Sequence, residues 1–324
     1  MLIPKVVMGE RYSKSKLSAY DLLIGESKSM RELKTAVYRI SQVASNVLIT
    51  GETGTGKELV AELIHQQSNR SNHTLVCLNC AAIPESLLES ELFGHEKGSF
   101  TGASSRRDGL FKQAHKGSLL LDEIGDMSMQ GQAKILRALE SEQIYPVGGN
   151  HPVNVDVRII AATNQELEKR VKDKQFRADL FYRLNVARVQ VPPLRERRGD
   201  IELLAYHFID LFNKRFSMAI KGISNSVLEL LNQYYWPGNV RQLKNILEAS
   251  FINQPKHIIE VENLPLWFCQ MVLPKYRNTE SLEDEKSRLK EAMQMAEGNK
   301  SKAAKLLNCS RMTLYRKLHK HKIA

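Results

Sequence analysis

The sequence predicts an α/β domain in which a parallel sheet lies between layers of helices, followed by a helical subdomain and a small all-α unit. Short apolar segments alternate with helical segments as far as Pro192, after which strand candidates stop. Apolar strands that alternate with helices are typical of a parallel sheet covered on both faces. The chain then ends in a basic segment with a helical pattern. The predicted fold class is therefore α/β with an all-α C-terminal addition.

The predicted strands are short, mostly apolar, and bounded by helical or glycine-rich segments. They comprise residues 46–50, 74–79, 118–122, 155–161 and 188–191. The helices predicted after the last strand comprise residues 201–216, 225–235 and 239–253. The predicted regions are a short N-terminal extension (1–21), the α/β subdomain (22–195), the helical subdomain (196–265), a linker (266–281) and the C-terminal helical unit (282–324).

The composition excludes several classes of protein. Of the 324 residues, 42% are hydrophobic, so the chain can bury a sizeable core and is neither disordered nor a small disulfide scaffold. No apolar run approaches the ~18 residues of a membrane-spanning helix, and the basic start lacks the apolar stretch of a signal peptide. Four cysteines predict a reducing cytoplasm. Cys77 and Cys80 lack a second ligand pair, which favours structural thiols over a metal or redox site.

The net charge of +11 is concentrated at the C-terminus. Residues 299–324 contain eight Lys or Arg and no acidic residue, so they supply +8 of that charge. A strongly basic unit attached to a nearly neutral body is typical of a nucleic-acid-binding module. Its apolar residues match one face of two short helices: Ala303, Ala304, Leu307, Leu314 and Leu318. The pattern predicts a helix-turn-helix, with a solvated basic helix as the alternative.

The candidate DNA contacts lie on the second of these helices. Ser310 can cap its N-terminus. The side chains available to base edges are Arg311, Met312, Thr313 and Tyr315, whereas Arg316 and Lys317 lie nearer to phosphates.

A glycine-rich loop follows the first predicted strand and opens a helix, which is the context of a phosphate-binding loop. Its residues are Gly51, Glu52, Thr53, Gly54, Thr55, Gly56, Lys57 and Glu58. The glycines let main-chain N–H groups turn towards phosphates, and Lys57 reaches the terminal phosphates. Glu58 replaces the usual Ser or Thr, so the hydroxyl that normally contacts magnesium is absent. The alternative is a glycine-rich turn without a ligand.

Polar residues end two further predicted strands. Asp122 and Glu123 end the third strand, and Thr163 and Asn164 follow the fourth. Because ligands bind beyond the carboxyl ends of parallel strands, Asp122 could hold magnesium and Glu123 could polarise the attacking water. Alone, such acids are usually only solvated. Thr163 or Asn164 could sense the γ-phosphate or place water, or could cap a helix predicted at residues 165–171.

Two arginines follow these strand ends. Arg177 and Arg183 are six residues apart, which places them on roughly opposite faces of a continuous helix. The spacing leaves surface salt bridges open as their role.

The most specific motif lies in residues 91–103, which read ELFGHEKGSFTGA and end in Gly98, Ser99, Phe100, Thr101, Gly102 and Ala103. The two glycines permit tight turns, and a Phe between them suits a contact with a partner. Together with the other motifs, this one resembles the bacterial enhancer-binding proteins, the AAA+ activators of sigma-54 RNA polymerase. The resemblance extends from about residue 22 to the C-terminus. The family's loop reads GAFTGA, and Ser99 replaces its first alanine.

The resemblance implies an AAA+ ATPase with ATP and Mg2+ as cofactors, and the family also carries Glu at the position of Glu58. The resemblance also implies roles at the nucleotide. Asn79 is implied to be the switch that hydrogen-bonds Glu123, and Thr163 and Asn164 are implied to be sensor I. Arg177 and Arg183 are implied to be arginine fingers offered to a neighbouring subunit, and Arg241 is implied to be sensor II. Residues 98–103 are implied to contact the polymerase, residues 148–150 resemble a second pore loop, and the tail resembles a Fis-type helix-turn-helix.

The implied function is that of an ATP-hydrolysing activator that binds upstream DNA, assembles as a ring, expected to be a hexamer, and opens sigma-54 promoters. Only ~20 residues precede the ATPase, fewer than a domain needs, so control by a separate protein, a co-activator or expression level is expected. Another AAA+ motor is an alternative against which the GSFTGA loop argues. A DNA-binding regulator that uses ATP only to assemble is another, against which Asp122, Glu123, Arg177 and Arg183 argue.

Overall fold

The computed structural model describes residues 23–100, 102–273, 282–296 and 299–307, together with residues 314, 316 and 318. The chain divides into two compact units. The first comprises the residues up to Met218 together with Leu231–Leu247, and the second comprises Ala219–Leu230 together with the residues from Glu248 onward. In the described part of the chain, none of the helices has the length and apolar character that a membrane span requires.

The described strands are β1 (Val47–Thr50), β2 (Leu75–Asn79), β3 (Gly94–His95), β4 (Arg107–Asp108), β5 (Ser118–Asp122), β6 (Gln143–Ile144), β7 (Val153–Asn154), β8 (Arg158–Thr163) and β9 (Ala187–Gln190). The helices are α1 (Lys28–Ser41), α2 (Lys57–Gln66), α3 (Glu85–Phe93), α4 (Leu110–Gln113), α5 (Met129–Ser141), α6 (Leu167–Lys172), α7 (Ala178–Leu184), α8 (Ile201–Phe216), α9 (Asn225–Gln233), α10 (Asn239–Ile252), α11 (Leu266–Val272), α12 (Leu282–Met295) and α13 (Lys300–Leu306).

A five-stranded parallel sheet with the order β2-β5-β8-β1-β9 forms the centre of the first unit, which confirms the predicted architecture. Alternation along β5 buries both faces: Leu119 and Leu121 enter one apolar core, and Leu120 enters the other. Helices α3, α5 and α7 contribute to the first core, and helices α1 and α2 contribute to the second. The order brings the carboxyl ends of β1, β5 and β8 to one edge of the sheet.

Two buried polar side chains bind helices to this sheet. On α2, the Nδ1 of His65 lies 3.0 Å from Ser118 Oγ, and its Nε2 lies 3.1 Å from the carbonyl oxygen of His73. The guanidinium of Arg158, on β8, donates to the carbonyl oxygens of Ile40, Ser41 and Ser45 at and beyond the end of α1. A cation there satisfies carbonyl groups that the helix itself leaves unpaired.

Two small antiparallel hairpins, β3–β4 and β6–β7, were absent from the predicted strands. Each of their strands has two residues, which is too short for an alternating pattern to indicate it. The hairpins bond to each other, because Glu96 N–H donates to the carbonyl oxygen of Val147 at 3.0 Å and Val147 N–H donates to that of Gly94 at 2.8 Å.

The end of the second unit forms a small helical core. It contains Leu289, Ala292, Ala296, Ala303, Ala304, Leu314 and Leu318, with Leu307 packed against it. Asn299 caps α13, because its Oδ1 accepts from the N–H groups of Ser301 and Lys302 at 3.0 and 3.2 Å. The predicted apolar face of the tail is therefore confirmed.

The predicted linker over residues 266–281 is wrong in its first part. Helix α11 begins directly after Pro265 and buries Phe268 and Cys269. A seven-residue helix is too short to show helical periodicity clearly, and Pro265 is compatible with a helix start. Residues 274–281 lie outside the described part of the chain.

Candidate functional site

The glycine-rich loop joins β1 to α2 and closes around its own lysine. Gly54 and Gly56 have φ angles of 79° and 102°, in the left-handed region that favours glycine. The Nζ of Lys57 donates to the carbonyl oxygen of Gly51 at 3.0 Å, and Lys57 is only 6% exposed. The Oγ1 of Thr55 donates to the carbonyl oxygen of Glu52 at 2.8 Å. The loop therefore has the compact form in which main-chain N–H groups can surround phosphate.

Glu123 lies next to this lysine, at the end of β5. One carboxylate oxygen lies 3.5 Å from Lys57 Nζ, and the other accepts from Asn164 N–H at 3.1 Å. Glu123 has a φ of 50°, which is strained for a residue with a Cβ, and such strain is frequent at functional sites. The unusual backbone turns its carboxylate away from the strand and towards the loop.

Asp122 lies in a carboxylate-rich environment. Burial raises its pKa to about 6, and the charges of Glu123 and Glu58 add to that effect. The amide Nδ2 of Asn79 lies 3.5 Å from Asp122 Oδ2. In this structure the partner of Asn79 is thus Asp122 and not Glu123, which corrects the hydrogen bond implied by the resemblance. Residues 79 and 122 are directly opposite in the register of β2 and β5, whereas Glu123 lies one residue beyond the strand.

Thr163 and Asn164 connect β8 to the phosphate loop. The carbonyl oxygen of Thr163 accepts from Gly51 N–H at 3.3 Å. The Nδ2 of Asn164 donates to Thr53 Oγ1 at 2.9 Å. The alternative in which one of them caps the next helix is wrong, because α6 begins at Leu167 with Glu166 at the N-cap position. Lys57, Glu123, Asn164 and Thr53 therefore form one connected group.

An ion pair that the sequence analysis missed holds the loop from its other side. The guanidinium of Arg195 donates to both carboxylate oxygens of Glu52, at 2.6 and 2.8 Å. The Nδ2 of Asn239 donates to Glu52 Oε2 and to the carbonyl oxygen of Thr53, both at 3.1 Å. The Arg195 hydrogen bond holds the pKa of Glu52 below its ordinary value. An acid inside a phosphate-binding loop was the available signal, since such a charge needs a cationic partner.

The segment that contains Arg241 also lies against the loop. The N–H of Arg241 donates to the carbonyl oxygen of Gly54 at 3.3 Å, and its side chain is exposed. A Cβ added to Gly54 would lie 2.4 Å from the carbonyl oxygen of Gly238, so the two backbones approach too closely for any other residue. The structure thus brings the backbone of Arg241 to the phosphate loop, and its role as sensor II stays a prediction.

Arg177 and Arg183 do not share one continuous helix, which corrects the geometry expected from their spacing. Helix α7 begins at Ala178, so Arg177 occupies its N-cap position and Arg183 its last turn. Arg177 forms an ion pair with Asp179 at 2.7 Å, and Arg183 donates to the carbonyl oxygen of Leu139 at 3.1 Å. Neither of these two contacts involves a residue of the phosphate loop.

The described residues of the GSFTGA segment, 98–100 and 102–103, lie at the tip of the β3–β4 hairpin. Gly98 N–H donates to the carbonyl oxygen of Ala103 at 2.8 Å, which closes the loop at its base. Gly98 and Gly102 have φ angles of 82° and 108° and open space around them. Phe100 is 39% exposed, with its ring edge against His95. The Oγ of Ser99 donates to the carbonyl oxygen of Glu96 at 2.8 Å.

The tip of the second hairpin packs against this segment. Gly148 has a φ of 74°, and a Cβ added there would lie 2.7 Å from Ser99 Cβ. Thr101 lies outside the described residues. The same holds for most candidate DNA contacts, namely Ser310, Arg311, Met312, Thr313, Tyr315 and Lys317, whereas Arg316 is described as helical and exposed.

The two cysteines of the CxxC occupy different places. Cys80 lies beyond the end of β2 in one apolar core, where burial raises its pKa, and Cys77 packs against the other core. Across the described ranges, no group of three His, Cys, Asp or Glu side chains is arranged to hold a metal ion. The burial of Cys80 and the packing of Cys77 agree with structural thiols.

Comparisons with known proteins match almost the whole chain. Residues 23–190 match the Sigma-54 interaction domain, residues 195–279 match the AAA+ ATPase lid domain, and residues 281–321 match the Fis family of bacterial regulatory proteins. Transcriptional regulatory protein ZraR of Escherichia coli K12 is 45% identical over 299 residues, which cover 91% of this chain and 68% of ZraR.

Further relatives agree. The DNA-binding transcriptional regulator NtrC of Salmonella typhimurium is 44% identical over an alignment that covers 91% of this chain and 69% of NtrC. The crystal structure of NtrX from Brucella abortus in complex with ATP is 37% identical with a TM-score of 0.72, over 95% of this chain and 69% of NtrX. The chain therefore belongs to the sigma-54-dependent transcriptional regulators, with an AAA+ ATPase domain and a Fis-type DNA-binding domain.

Proposed function

We propose that this activator hydrolyses ATP between the subunits of a ring and uses the GSFTGA loop to open promoters held by sigma-54 RNA polymerase. The observation that carries the proposal is the connected group at the edge of the sheet. In it, the strained acid Glu123 pairs with the phosphate-loop Lys57 and accepts from the N–H of Asn164, whose side chain donates to Thr53 of the loop. This is the set of side chains that phosphoryl transfer to water requires.

The proposed phosphate site is the loop of residues 51–56 with Lys57. Its positive-φ glycines and the N-terminus of α2 supply main-chain N–H groups and favourable polarity for an anion. Lys57 now pairs with Glu123, and the γ-phosphate of ATP would compete for the same ammonium group. Arg241 would approach the phosphates from the segment beside Gly54. Residues Glu52, Thr53 and Thr55 support the loop itself.

The side chains present fit Mg2+. Asp122 has a pKa raised by burial and by two neighbouring carboxylates, Glu123 and Glu58, and a divalent cation would relieve that repulsion. Carboxylate oxygens are ligands that Mg2+ prefers. Asp122 would hold the ion, which, when bound, neutralises charge on the phosphate oxygens.

We assign the acid–base role to Glu123. Its carboxylate would accept a proton from the attacking water, and Asn164, which bonds both Glu123 and the phosphate loop, would place that water. Thr163 keeps β8 joined to the loop through Gly51. Asn79, bonded to Asp122, would report changes at the acids to the segment that follows β2.

We infer the ring from the two arginines. Arg177 and Arg183 lie at the two ends of α7, and their contacts with Asp179 and Leu139 involve no residue of the phosphate loop. In a ring, each guanidinium would act at the site of the neighbouring subunit, where it would stabilise charge on the transferred phosphoryl group. We propose a hexamer, in which each subunit completes the site of the next.

Two surfaces of the protein would contact its partners, the sigma factor and DNA. The hairpin tip exposes Phe100 between two glycines at which an added Cβ would meet no atom within 4 Å, which suits a contact of residues 98–103 with the sigma factor. The basic C-terminal helices would bind double-stranded DNA upstream of the promoter. A separate regulatory protein or co-activator would set when the ring forms.

The test compares two variants of the nucleotide site. Glu123→Ala should bind ATP almost normally and lose turnover, because the phosphate loop survives while the attacking water loses its base. Lys57→Ala should weaken ATP binding itself. Glu202→Ala, which removes an exposed acid on α8, serves as the control. A Glu123→Ala protein that hydrolyses ATP at the normal rate would overturn the assignment.

A further inference from the structure

Gln132 is a fully buried polar side chain on α5, with an exposed fraction of 0%. Its Nε2 donates to the carbonyl oxygen of Met127 at 2.8 Å and to that of Gln175 at 3.3 Å. Its Oε1 accepts from the N–H of Arg177 at 2.8 Å. One buried amide therefore joins three separate main-chain segments.

The partners fix the orientation of this amide. The carbonyl oxygens of Met127 and Gln175 can only accept hydrogen bonds, and the N–H of Arg177 can only donate one. Reversing the amide would place its oxygen against both carbonyl oxygens and its NH2 group against an N–H. Gln132 is thus a specific connector, and an apolar side chain of similar size would leave these main-chain groups unpaired.

Gln132 joins the segment that follows the catalytic acid Glu123 to the segment that carries Arg177. Met127 follows the single 3₁₀ turn Ile124–Asp126, which begins directly after Glu123. Arg177 is the N-cap residue of α7, so its N–H has no acceptor within the helix. Gln132 supplies that acceptor and so holds the backbone from which the Arg177 side chain extends.

A second set of contacts reaches the same place from the other side. Asp126 accepts from Gln165 Nε2 at 2.5 Å, and Gln165 Oε1 accepts from the guanidinium of Arg170. The carbonyl oxygen of Arg170 in turn accepts from the N–H groups of Gln175 and Phe176, at 2.8 and 3.1 Å. The residues before Arg177 are therefore held from both α5 and α6.

We propose that Gln132 is a positioning residue that determines where a subunit presents Arg177 to its neighbour. It ties that position to the segment behind the subunit's own catalytic acid. The inference rests on the proposed action of Arg177 between subunits. Gln132 itself contacts main-chain groups of its own chain, so its loss should affect the site of the neighbouring subunit and spare the subunit's own.

The experiment uses the full-length protein with Gln132→Met and, as a matched control, Gln130→Met. Gln130 lies two residues earlier on the same helix and is exposed. We expect Gln132→Met alone to lose about 10²-fold in ATP turnover, since small displacements of a catalytic group can cost that much. Its dissociation constant for ATP should remain within about twofold of the parent value, because the phosphate loop is unchanged. Gln130→Met should match the parent in both.

Mixed rings then locate the defect. Lys57→Ala subunits cannot hold ATP but carry an intact Arg177, so adding them to Gln132→Met subunits should restore part of the turnover. Arg177→Ala subunits have an intact nucleotide site but no arginine to offer, so adding them should restore nothing. The opposite pattern would place the damage in the variant's own site and would overturn the proposal.

A reference mixture separates the inference from the function on which it rests. Lys57→Ala and Arg177→Ala subunits should complement each other if Arg177 acts between subunits. If they do not, the action in trans fails and the inference with it. If they do complement each other, but Gln132→Met is rescued by Arg177→Ala subunits and not by Lys57→Ala subunits, only the role of Gln132 fails.

Hydrogen exchange gives a readout that does not depend on turnover. The amide of residue 177 should exchange faster in Gln132→Met than in Gln130→Met, because its acceptor has been removed. Equal exchange rates would overturn the positioning role. If Gln132→Met does not fold, Gln132→Asn keeps a polar amide but is one methylene shorter, which withdraws the acceptor from Arg177 N–H. The same mixtures and exchange measurement then apply to it.

Discussion

Glu52 serves the phosphate loop through its partners. Its carboxylate binds Arg195 by two hydrogen bonds and Asn239 by a third, and Asn239 also reaches the backbone of the loop at Thr53. Bidentate arginine–carboxylate pairs fix geometry as well as add energy. The loop is therefore held in shape before any phosphate binds, which reduces the ordering cost of binding.

Glu52→Gln should weaken ATP binding about fivefold, equivalent to about 1 kcal/mol, because Arg195 loses its charged partner in a partly exposed site. A fluorescent ATP analogue titrated at constant salt gives the dissociation constant. Glu168→Gln, which disrupts an exposed pair with Arg188 on the same domain, is the control and should have no effect. Equal affinities for all three proteins would contradict the role given to Glu52.

Residue types at strand ends were predictable, and their partners only in part. Lys57, Glu123 and Asn164 meet because parallel strands carry their ends to one edge, which follows from the order of motifs. The partner of Asn79 depends on strand register, and the turn of Glu123 depends on a left-handed backbone. Neither the register nor that backbone can be deduced from one sequence.

Helix α7 shows why the spacing of Arg177 and Arg183 gave a wrong prediction of their geometry. The interval between Arg177 and Arg183 indicates opposite faces only if the helix includes both, and the helix begins one residue after Arg177. The short hairpins escaped prediction for a related reason, since two-residue strands have no period. The five sheet strands were long enough, and apolar enough, to be recognised.

Thr101→Ala tests the hairpin tip as an element separate from the ATPase. On this interpretation the variant binds ATP, assembles and hydrolyses at the parent rate, yet fails to open sigma-54 promoters, because the lost contact serves the partner. ATP turnover and promoter opening are measured on the same preparation. Ser104→Ala, just beyond the motif in an exposed position, is the control. Normal promoter opening by Thr101→Ala would reject the coupling role, and loss of assembly would make the loop a structural part of the ring.

His65 makes the packing of α2 on the sheet sensitive to pH. Burial holds the pKa of His65 below its ordinary value of 6.5, so the folded protein takes up a proton on this ring at lower pH than the unfolded chain does. The stabilisation is complete above pH 6.5 and declines below it, by at most about 1.4 kcal/mol per pH unit. His65→Gln should flatten that decline. Urea unfolding at pH 7.5, 6.5 and 5.5 measures it, and an unchanged slope would contradict the assignment.

At the scale of the whole molecule, the basic C-terminal residues should be required for DNA binding and not for ATP hydrolysis. Deleting residues 280–324 removes the basic helices and none of the nucleotide residues, so specific DNA binding should be lost while most of the ATP turnover remains. The DNA affinity of the intact protein should fall steeply with salt, as expected for contacts with several phosphates. Filter binding at two salt concentrations, with ATPase assays in parallel, checks both. Tight, specific binding by the truncated chain would place the DNA site elsewhere.

The sequence predicts those domain boundaries that coincide with a change in composition. It does not predict boundaries that depend on contacts between distant residues. The basic tail and the end of the strand pattern are visible in the residues themselves. The short helix Leu266–Val272 was not, because the burial of Phe268 and Cys269 defines it more than any periodicity does. The reach of residues 238–241 back to the phosphate loop is likewise a long-range contact that no local pattern indicates.

The approach of Gly54 to Gly238 limits how genes for such regulators can recombine. A crossover between residues 58 and 194 would pair the phosphate loop of one parent with Arg195, Gly238 and Asn239 of the other. A Cβ at residue 54 would lie 2.4 Å from the carbonyl oxygen of Gly238, and a change at Arg195 or Asn239 would remove a partner of Glu52. Crossovers after residue 241 leave those contacts within one parent. Exchange of DNA-binding ends between relatives should therefore be common in evolution, and exchange inside the ATPase should be rare.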